Sequence, residues 1–212
     1  MQQFNTSLFK KAVTITSLLG IITLASSLFI GKIPLFLLLN NNLGSFADQF
    51  FALGTWLGDG AIWVPALLLV LWLKRKDALP LLIASFALTT ILTQVCKYLI
   101  VPDAPRPSKA ITDMSLIHTV PGVDLHIISS FPSGHTATSF TIYLVFSLLF
   151  PGGWWLLPGL LYALWVAYSR IYLAQHFPVD AGAGMIVAVI SVTLSLLIQQ
   201  WFSNRKKPTV TV

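Results

Sequence analysis

The sequence predicts an all-α fold: a single membrane-embedded domain over residues 1–212, built as a bundle of six transmembrane helices. The first reason is composition, because hydrophobic residues make up 56% of the chain and charged residues only 9%. A soluble domain carries roughly 25% charged residues. The second reason is a set of long uncharged runs, since a helix needs about 20 apolar residues to cross the hydrocarbon core. Lipid offers the backbone no hydrogen-bond partners, so runs of this length are expected to be helices.

Each predicted span follows from one of these runs or from an interruption within it. The uncharged runs cover residues 12–31, 78–96, 136–169 and 181–204. Pro-Gly-Gly at 151–153 divides the longest run, because these residues end one helix and let another return. Residues 60–73 are short for a span and reach adequate length if the helix begins near Ala52. The predicted spans are 12–31, 55–74, 78–99, 134–150, 154–171 and 179–202.

Basic residues orient the predicted bundle. They cluster at Lys10–Lys11, Lys74–Lys76 and Arg205–Lys207, and six spans place all three clusters on one side. The positive-inside rule makes that side cytoplasmic, together with both termini. The net charge of +6 then reflects topology, and the absence of a basic face argues against nucleic-acid binding. Compact size, tight turns and a retained first helix favour a bacterial inner membrane.

Three polar segments fall on the opposite face of this bundle. They read KYLIVPDAPRP (97–107), PSGH (132–135) and SRIYLAQHFPVD (169–180). They supply three cations (Lys97, Arg106 and Arg170), two histidines (His135 and His176) and two aspartates (Asp103 and Asp180). Asp103 is expected to be solvated in its proline-rich loop. Three cations would repel one another in a low-dielectric site, so the pattern predicts an anion among them. The planar guanidinium of arginine suits phosphate, and lysine adds a point charge.

The PSGH segment also predicts a main-chain contribution to this anion site. Pro132, Ser133 and Gly134 open a helix, where free N–H groups and the positive end of the helix dipole favour an anion. Gly134 lets a ligand approach the backbone closely. These features together predict an oxyanion cradle.

The two histidines suggest phosphoryl transfer. His176 and Asp180 are four residues apart, so the carboxylate can accept a hydrogen bond from one ring nitrogen and leave the other free for attack. His135 can donate a proton to the leaving oxygen. Phosphoryl transfer through a phosphohistidine would need no metal or other cofactor, because the cations stabilise the developing charge. The single cysteine, Cys96, excludes an intrachain disulfide and a cysteine metal cluster.

These segments resemble the three signatures of the type 2 phosphatidic acid phosphatase family, whose members are mostly integral membrane lipid phosphatases. The family pattern is Lys, six residues, Arg-Pro; then Pro-Ser-Gly-His; then Ser-Arg, five residues, His, three residues, Asp. Pro132–His135 matches the second signature, and the segment from Ser169 to Asp180 matches the third. The first signature departs from the pattern, since eight residues separate Lys97 from Arg106.

The resemblance implies a role for each of these residues. His176 would be the nucleophile, Asp180 its orienting carboxylate and His135 the acid for the leaving group. The phosphate-binding residues would be Lys97, Arg106, Ser133, Gly134 and Arg170. It further implies a six-helix core with its site at the outer, periplasmic face. The substrate would be the phosphate of a phospholipid or isoprenoid lipid: phosphatidylglycerophosphate, undecaprenyl pyrophosphate, phosphatidic acid or lipid A.

Two other classes of function remain open at this point. One is a membrane protein with a haem held between His135 and His176, which leaves the three cations unexplained. The other is a non-catalytic lipid-binding or transport protein on the same fold, which has no need of an oriented histidine. Outside the motifs, His118 and His126 are assigned no role, and Asp59 is interpreted as a helix-end residue. No oligomeric state is predicted.

Overall fold

The computed structural model describes residues 4–205, and over that range it contains helices and connecting loops but no β-strand. The all-α prediction is therefore confirmed for the described residues. The α-helices are α1 (Thr6–Ile30), α2 (Lys32–Leu39), α3 (Ser45–Trp56), α4 (Trp63–Trp72), α5 (Leu79–Val95), α6 (Pro107–Ala110), α7 (Gly134–Leu149), α8 (Leu156–Tyr172) and α9 (Pro178–Arg205). A π-helical turn, Cys96–Ile100, continues α5.

Three helical segments are long and apolar enough to cross a membrane: Thr6–Ile30, Lys76–Ile100 and Pro178–Ser203. They correspond to the first, third and sixth predicted spans. A fourth candidate is a pair of helical segments, Ser45–Trp56 and Gly60–Trp72, bent by 60° at their junction. Helices α7 and α8 occupy the fourth and fifth predicted spans, with 16 and 17 residues. The chain is an integral membrane protein with three or four spans by this criterion.

The second predicted span differs most from the structure. The sequence pattern predicts one continuous helix over 55–74. In the structure, helix α3 ends at Trp56 and the next helical turn begins at Gly60. The break has a local cause, because the Asp59 carboxylate accepts a hydrogen bond from the Ala61 N–H at 3.0 Å and caps a short 3₁₀ turn. Two glycines flank that aspartate. Helix α2 and the first part of α3 were also not predicted.

Helix α7 forms the centre of the bundle. Every residue from Thr136 to Leu149 is buried, and α1, α5, α8 and α9 pack around it. The approach of α9 depends on Gly184, where a Cβ atom would lie 2.7 Å from the Ser133 carbonyl oxygen. The Ser133 N–H also donates to the Asp180 carbonyl at 2.9 Å. The starts of α7 and α9 are thereby fixed side by side.

The opposite end of α7 adjoins the basic turn. Arg75 donates through Nη1 to the Leu149 carbonyl at 3.3 Å and pairs with Asp77 at 3.1 Å. The Asn5 N–H, at the start of α1, donates to the Leu148 carbonyl at 2.8 Å. Lys10 and Lys11 lie in the first turns of α1, and Lys206 and Lys207 lie outside the described residues. The two described basic clusters therefore share one end of the bundle, and the start of α7 lies at the other.

Candidate active site

The three polar segments converge at the start of α7. Lys97 lies on the π-helical turn after α5, Arg106 caps α6, His135 is in the first turn of α7, Arg170 is in the last turn of α8, His176 is in the loop after α8, and Asp180 is in the first turn of α9. Five helical elements and the loop after α8 supply these side chains, and α7 and α9 are held together by the Ser133–Asp180 backbone bond.

The His176 and Asp180 pair is buried, with 1% and 2% of each residue exposed. The Asp180 Oδ2 atom lies 3.4 Å from His176 Nδ1, and it accepts hydrogen bonds from the Phe177 N–H at 2.9 Å and from Ser130 Oγ at 2.5 Å. These donors hold the carboxylate beside the imidazole. Within residues 4–205, His176 Nε2 forms no hydrogen bond, so this nitrogen is free to meet a ligand.

Charge and burial set the protonation of His176. Its pKa lies well below the usual value, first because the ring is buried and next because Arg106, Arg170 and Lys97 are near. A neutral imidazole has a lone pair on one ring nitrogen, as a nucleophile requires. All three cations therefore act electrostatically on the ring.

Arg106 is held in a defined orientation by the loop that precedes α7. Its Nε donates to the Ile128 carbonyl at 2.9 Å, and Nη1 donates to the carbonyl and side-chain oxygens of Gln175 at 3.0 and 3.1 Å. Residues 104–106 and 127–130 run alongside each other through two backbone hydrogen bonds of 3.0 Å.

The eight-residue spacing between Lys97 and Arg106 is accommodated by a turn that precedes Arg106. Helix α5 ends at Val95, and the π-helical turn then carries Lys97. A turn follows in which Asp103 adopts a left-handed conformation with φ of 56°. Such π-helical turns are frequently found at functional sites. The surplus residues lie in this turn, and the chain returns so that Arg106 and Lys97 interact electrostatically.

The turn at PSGH presents two free N–H groups. Ser133 is fully buried, and its Oγ accepts hydrogen bonds from the Thr136 N–H and hydroxyl at 3.4 and 3.0 Å. Its own N–H is used by Asp180, whereas no acceptor for the N–H groups of Gly134 and His135 exists among the described residues. A Cβ atom on Gly134 would meet only Thr93 Cγ2, at 3.6 Å. The surrounding protein therefore leaves space beside Gly134 that a ligand can occupy.

Arg170 is the most buried of the three cations that interact electrostatically with His176. It is 6% exposed, and Nη1 donates to the Thr55 hydroxyl. Its Nε has no hydrogen-bond partner among the described residues. Because an unpaired buried donor is costly, an anionic ligand is the expected partner.

A cavity of about 440 Å³, the site cavity, opens above Arg170 and His135. Its lining consists of Ala52, Thr55, Trp56, Asp59, Pro121, Gly122, Val123, Asp124, His126, His135, Arg170 and Gln175. The sequence analysis did not assign Thr55, Asp59, Asp124, His126 or Gln175 to the site. Thr55, Asp59, Asp124 and His126 lie outside the signatures in sequence, and Gln175 is one of the five unspecified positions between Arg170 and His176 in the third signature.

The two unassigned histidines lie in different places. His126 lines the site cavity, and burial together with the positive charge of Arg106 lowers its pKa. His118 instead places Nε2 at 2.9 Å from Asp48, and its ring packs edge-on against Tyr172 at 4.8 Å. No group of three or more His, Cys, Asp or Glu side chains in the described part of the chain is arranged to hold a metal ion.

A buried histidine with an oriented carboxylate, three cations that act on it electrostatically and free main-chain donors thus lie together at one end of a membrane protein. The chain belongs to the PAP2 superfamily, whose model matches residues 78–204. It is 30% identical over 157 residues to the undecaprenyl-diphosphatase of Sulfolobus acidocaldarius, covering 74% of this chain and 72% of that protein.

Two further similarities agree with this family. The lipid A 4'-phosphatase of Bacteroides thetaiotaomicron is 30% identical over 163 residues, covering 72% of this chain and 70% of that protein. The crystal structure of LpxE from Aquifex aeolicus matches with a TM-score of 0.68 and 31% identity, over 78% of this chain and 94% of that one. Family and relatives together identify a membrane lipid phosphatase.

Proposed function

We propose that this chain hydrolyses the terminal phosphate of a membrane lipid through a phosphohistidine at His176. The observation that carries the proposal is the placement of one neutral, oriented imidazole beside three cations. A structural histidine has no need of such a surrounding. A haem ligand or a passive lipid-binding site would likewise leave the cations or the Asp180 contact unexplained.

The phosphate would be held from several sides. Lys97, Arg106 and Arg170 would neutralise its charge, and Arg170 Nε would gain an acceptor, which it lacks among residues 4–205. The N–H groups of Gly134 and His135 would donate from the start of α7, where the helix dipole favours an anion. Ser133 would fix that turn through its bonds to Thr136 and Asp180.

Two displacements at phosphorus would complete the reaction. In the first, the lone pair of His176 Nε2 forms a bond to phosphorus while the bond from phosphorus to the bridging oxygen breaks. His135 gives its proton to that oxygen, and the lipid leaves. In the second, water attacks the phosphohistidine, His135 accepts the proton of the water, and the P–N bond breaks to release inorganic phosphate. Asp180 would hold the Nδ1–H of His176 in both steps.

The same layout supports a proposal for the placement in the membrane. Helices α7 and α8 rise about 24–26 Å at 1.5 Å per residue, and α7 is surrounded by other helices. Counting both with the three long helices and the bent pair gives six spans. The site lies at the end of α7 away from Lys74–Lys76, which supports a periplasmic site and cytoplasmic termini in a bacterial inner membrane.

The substrates of the relatives guide the choice of lipids for a test. The assay measures phosphate release from four lipids: undecaprenyl diphosphate, lipid A, phosphatidylglycerophosphate and phosphatidic acid. Purified protein should release phosphate from at least one of the four after exhaustive chelation. His176→Ala should abolish release, and Asp180→Asn should leave a small remainder, since losing the orienting aspartate of a catalytic triad costs about 10⁴-fold.

Lys109→Ala is the control variant. Lys109 is an exposed cation three positions after Arg106, so this variant should release phosphate at the wild-type rate. Near-normal release by His176→Ala on any of the lipids would refute the mechanism. Loss of activity on chelation, restored by magnesium or zinc, would refute the metal-free site. A coloured purified protein with a haem spectrum would favour the bis-histidine alternative.

A further inference from the structure

The site cavity has walls of opposite charge. Arg170 lines its inner end, where the reacting phosphate would sit. Two carboxylates line the rest: Asp59, at the break between α3 and α4, and Asp124, in the loop before α7. Both residues are exposed. Asp59 lies outside the residues matched by the family model, so this wall belongs to a part of the chain that the signatures do not describe.

Neither carboxylate forms a salt bridge within residues 4–205. One oxygen of Asp59 accepts from the Ala61 N–H at 3.0 Å, and Asp59 interacts with Arg170 only at longer range. The Asp124 backbone carbonyl accepts from Gln175 Nε2 at 2.9 Å, which fixes the loop. The Asp124 carboxylate forms no hydrogen bond within residues 4–205, and it interacts electrostatically with His126. Among the lining residues of this cavity Arg170 is the one fixed cation.

The position of His135 in the cavity lining indicates which part of the substrate occupies this cavity. His135 lines the cavity beside Arg170, whose buried Nε has no acceptor in the described part of the chain and so points to an anion at the inner end. The leaving oxygen must lie within reach of His135 to receive its proton. The leaving group therefore extends from the inner end into the space between Asp59 and Asp124.

We infer, resting on the proposed function, that the site cavity selects a lipid whose leaving group is uncharged and carries hydroxyls, such as a sugar headgroup, over a lipid diphosphate. Hydrolysis of a diphosphate leaves a second phosphate in the cavity, facing two carboxylates with its own negative charge. The hydroxyls of a polyol can instead donate to those carboxylates. Rejection by like charge is a common source of specificity.

Neighbouring groups do not reverse this preference. His126 lines the same cavity, and burial with nearby Arg106 lowers its pKa, so the neutral ring adds no positive charge. Lys97 and Arg106 do not line the cavity and belong with the reacting phosphate. The cavity volume of about 440 Å³ lies within the range of roughly 300–1,000 Å³ that is typical of ligand sites.

The test compares monophosphoryl lipid A with undecaprenyl diphosphate in one detergent. The wild type should show the higher kcat/KM on monophosphoryl lipid A. Asp59→Asn and Asp124→Asn should each shift the ratio of the two kcat/KM values toward the diphosphate by about 3- to 10-fold, and the double variant by more. Added salt should reduce the shift, because it screens charge at an exposed rim. Asparagine keeps the oxygen that caps Ala61, so folding is preserved.

Asp103→Asn is the control, because Asp103 is an exposed carboxylate in the same region that does not line the cavity. Its left-handed conformation is also tolerated by asparagine. A wild type that prefers the diphosphate, or a substrate ratio that the Asp59 and Asp124 variants leave unchanged, would overturn the inference. Absence of phosphate release from every lipid would instead refute the proposed function and the inference with it.

Discussion

At the scale of single residues, Gln175 connects the cationic site to the loop above it. Its side-chain oxygen accepts from Arg106 Nη1 at 3.1 Å, and its Nε2 donates to the Asp124 carbonyl at 2.9 Å. The backbone carbonyl of Gln175 accepts from the same Nη1 atom at 3.0 Å. With Nε bound to Ile128, only Nη2 of Arg106 has no acceptor in the described part of the chain. Gln175 thus fixes the direction in which Arg106 presents its free donor.

Replacing Gln175 should therefore weaken substrate binding. We expect Gln175→Leu to lower kcat/KM by about 10-fold or more, mainly through KM, because a hydrogen bond to a charged group contributes about 1.5–3 kcal/mol. Gln175→Glu should also raise KM, since its carboxylate would compete with phosphate for Arg106. Steady-state kinetics on the preferred lipid measures both effects.

Gln199 offers the matched control for that prediction. It is equally buried and makes the same type of contacts, accepting from the Leu81 N–H at 3.0 Å and donating to the Asp77 carbonyl at 2.9 Å. These contacts lie at the end of the bundle away from the site. Gln199→Leu should lower thermal stability and leave KM unchanged. Equal KM effects of the two variants would show that Gln175 acts through folding alone.

The four-residue spacing was enough to predict the His176–Asp180 contact, because His176 lies just before α9 and Asp180 lies in the first turn of α9. It did not predict Ser130, whose hydroxyl donates to Asp180 across fifty positions of sequence, or Thr55, which accepts from Arg170. Those contacts depend on how α3, α8 and α9 pack. Local patterns carry no information on such packing.

At the scale of helices, the break between α3 and α4 is part of the site wall. A Cβ atom on Gly58 would lie 2.3 Å from Val166 Cγ1 and 3.0 Å from His135 Cβ. The Tyr162 hydroxyl donates to the Leu57 carbonyl at 2.7 Å, which holds the break against α8. The hydropathy pattern identifies this apolar region but predicts a single continuous span. The bend depends on Asp59 as a cap and on glycine contacts with α7 and α8.

Gly58→Ala should displace the first turn of α7. Overpacking of this kind costs typically 1–3 kcal/mol. We expect a lower melting temperature and a kcat reduced by about tenfold, because a small misplacement of His135 impairs proton transfer. Gly60→Ala is the control within the same break, since a Cβ atom there has no neighbour within 4 Å. Similar, mild effects of both substitutions would mean that the break does not position His135.

At the scale of the whole molecule, charged residues are concentrated at the two ends of the helical bundle. Lys74–Lys76 lie beside the end of α7, through the bond from Arg75 to Leu149. The loop carrying Arg106 and Lys109 lies at its start. The 16 residues of α7 separate the two ends by about 24 Å. This separation could be predicted from sequence, because long uncharged runs and the alternation of polar segments both report on topology.

The orientation of these ends in the cell can be measured with single cysteines. Lys109→Cys and Lys76→Cys, each in a Cys96→Ser background, place a thiol at an exposed position at either end. In intact cells of a Gram-negative host, an impermeant thiol reagent should label position 109 and not position 76. Permeabilised cells should show labelling at both, which controls for access to the thiol. Labelling of position 76 alone in intact cells would place the active site in the cytoplasm, where lipids of the outer leaflet cannot reach it.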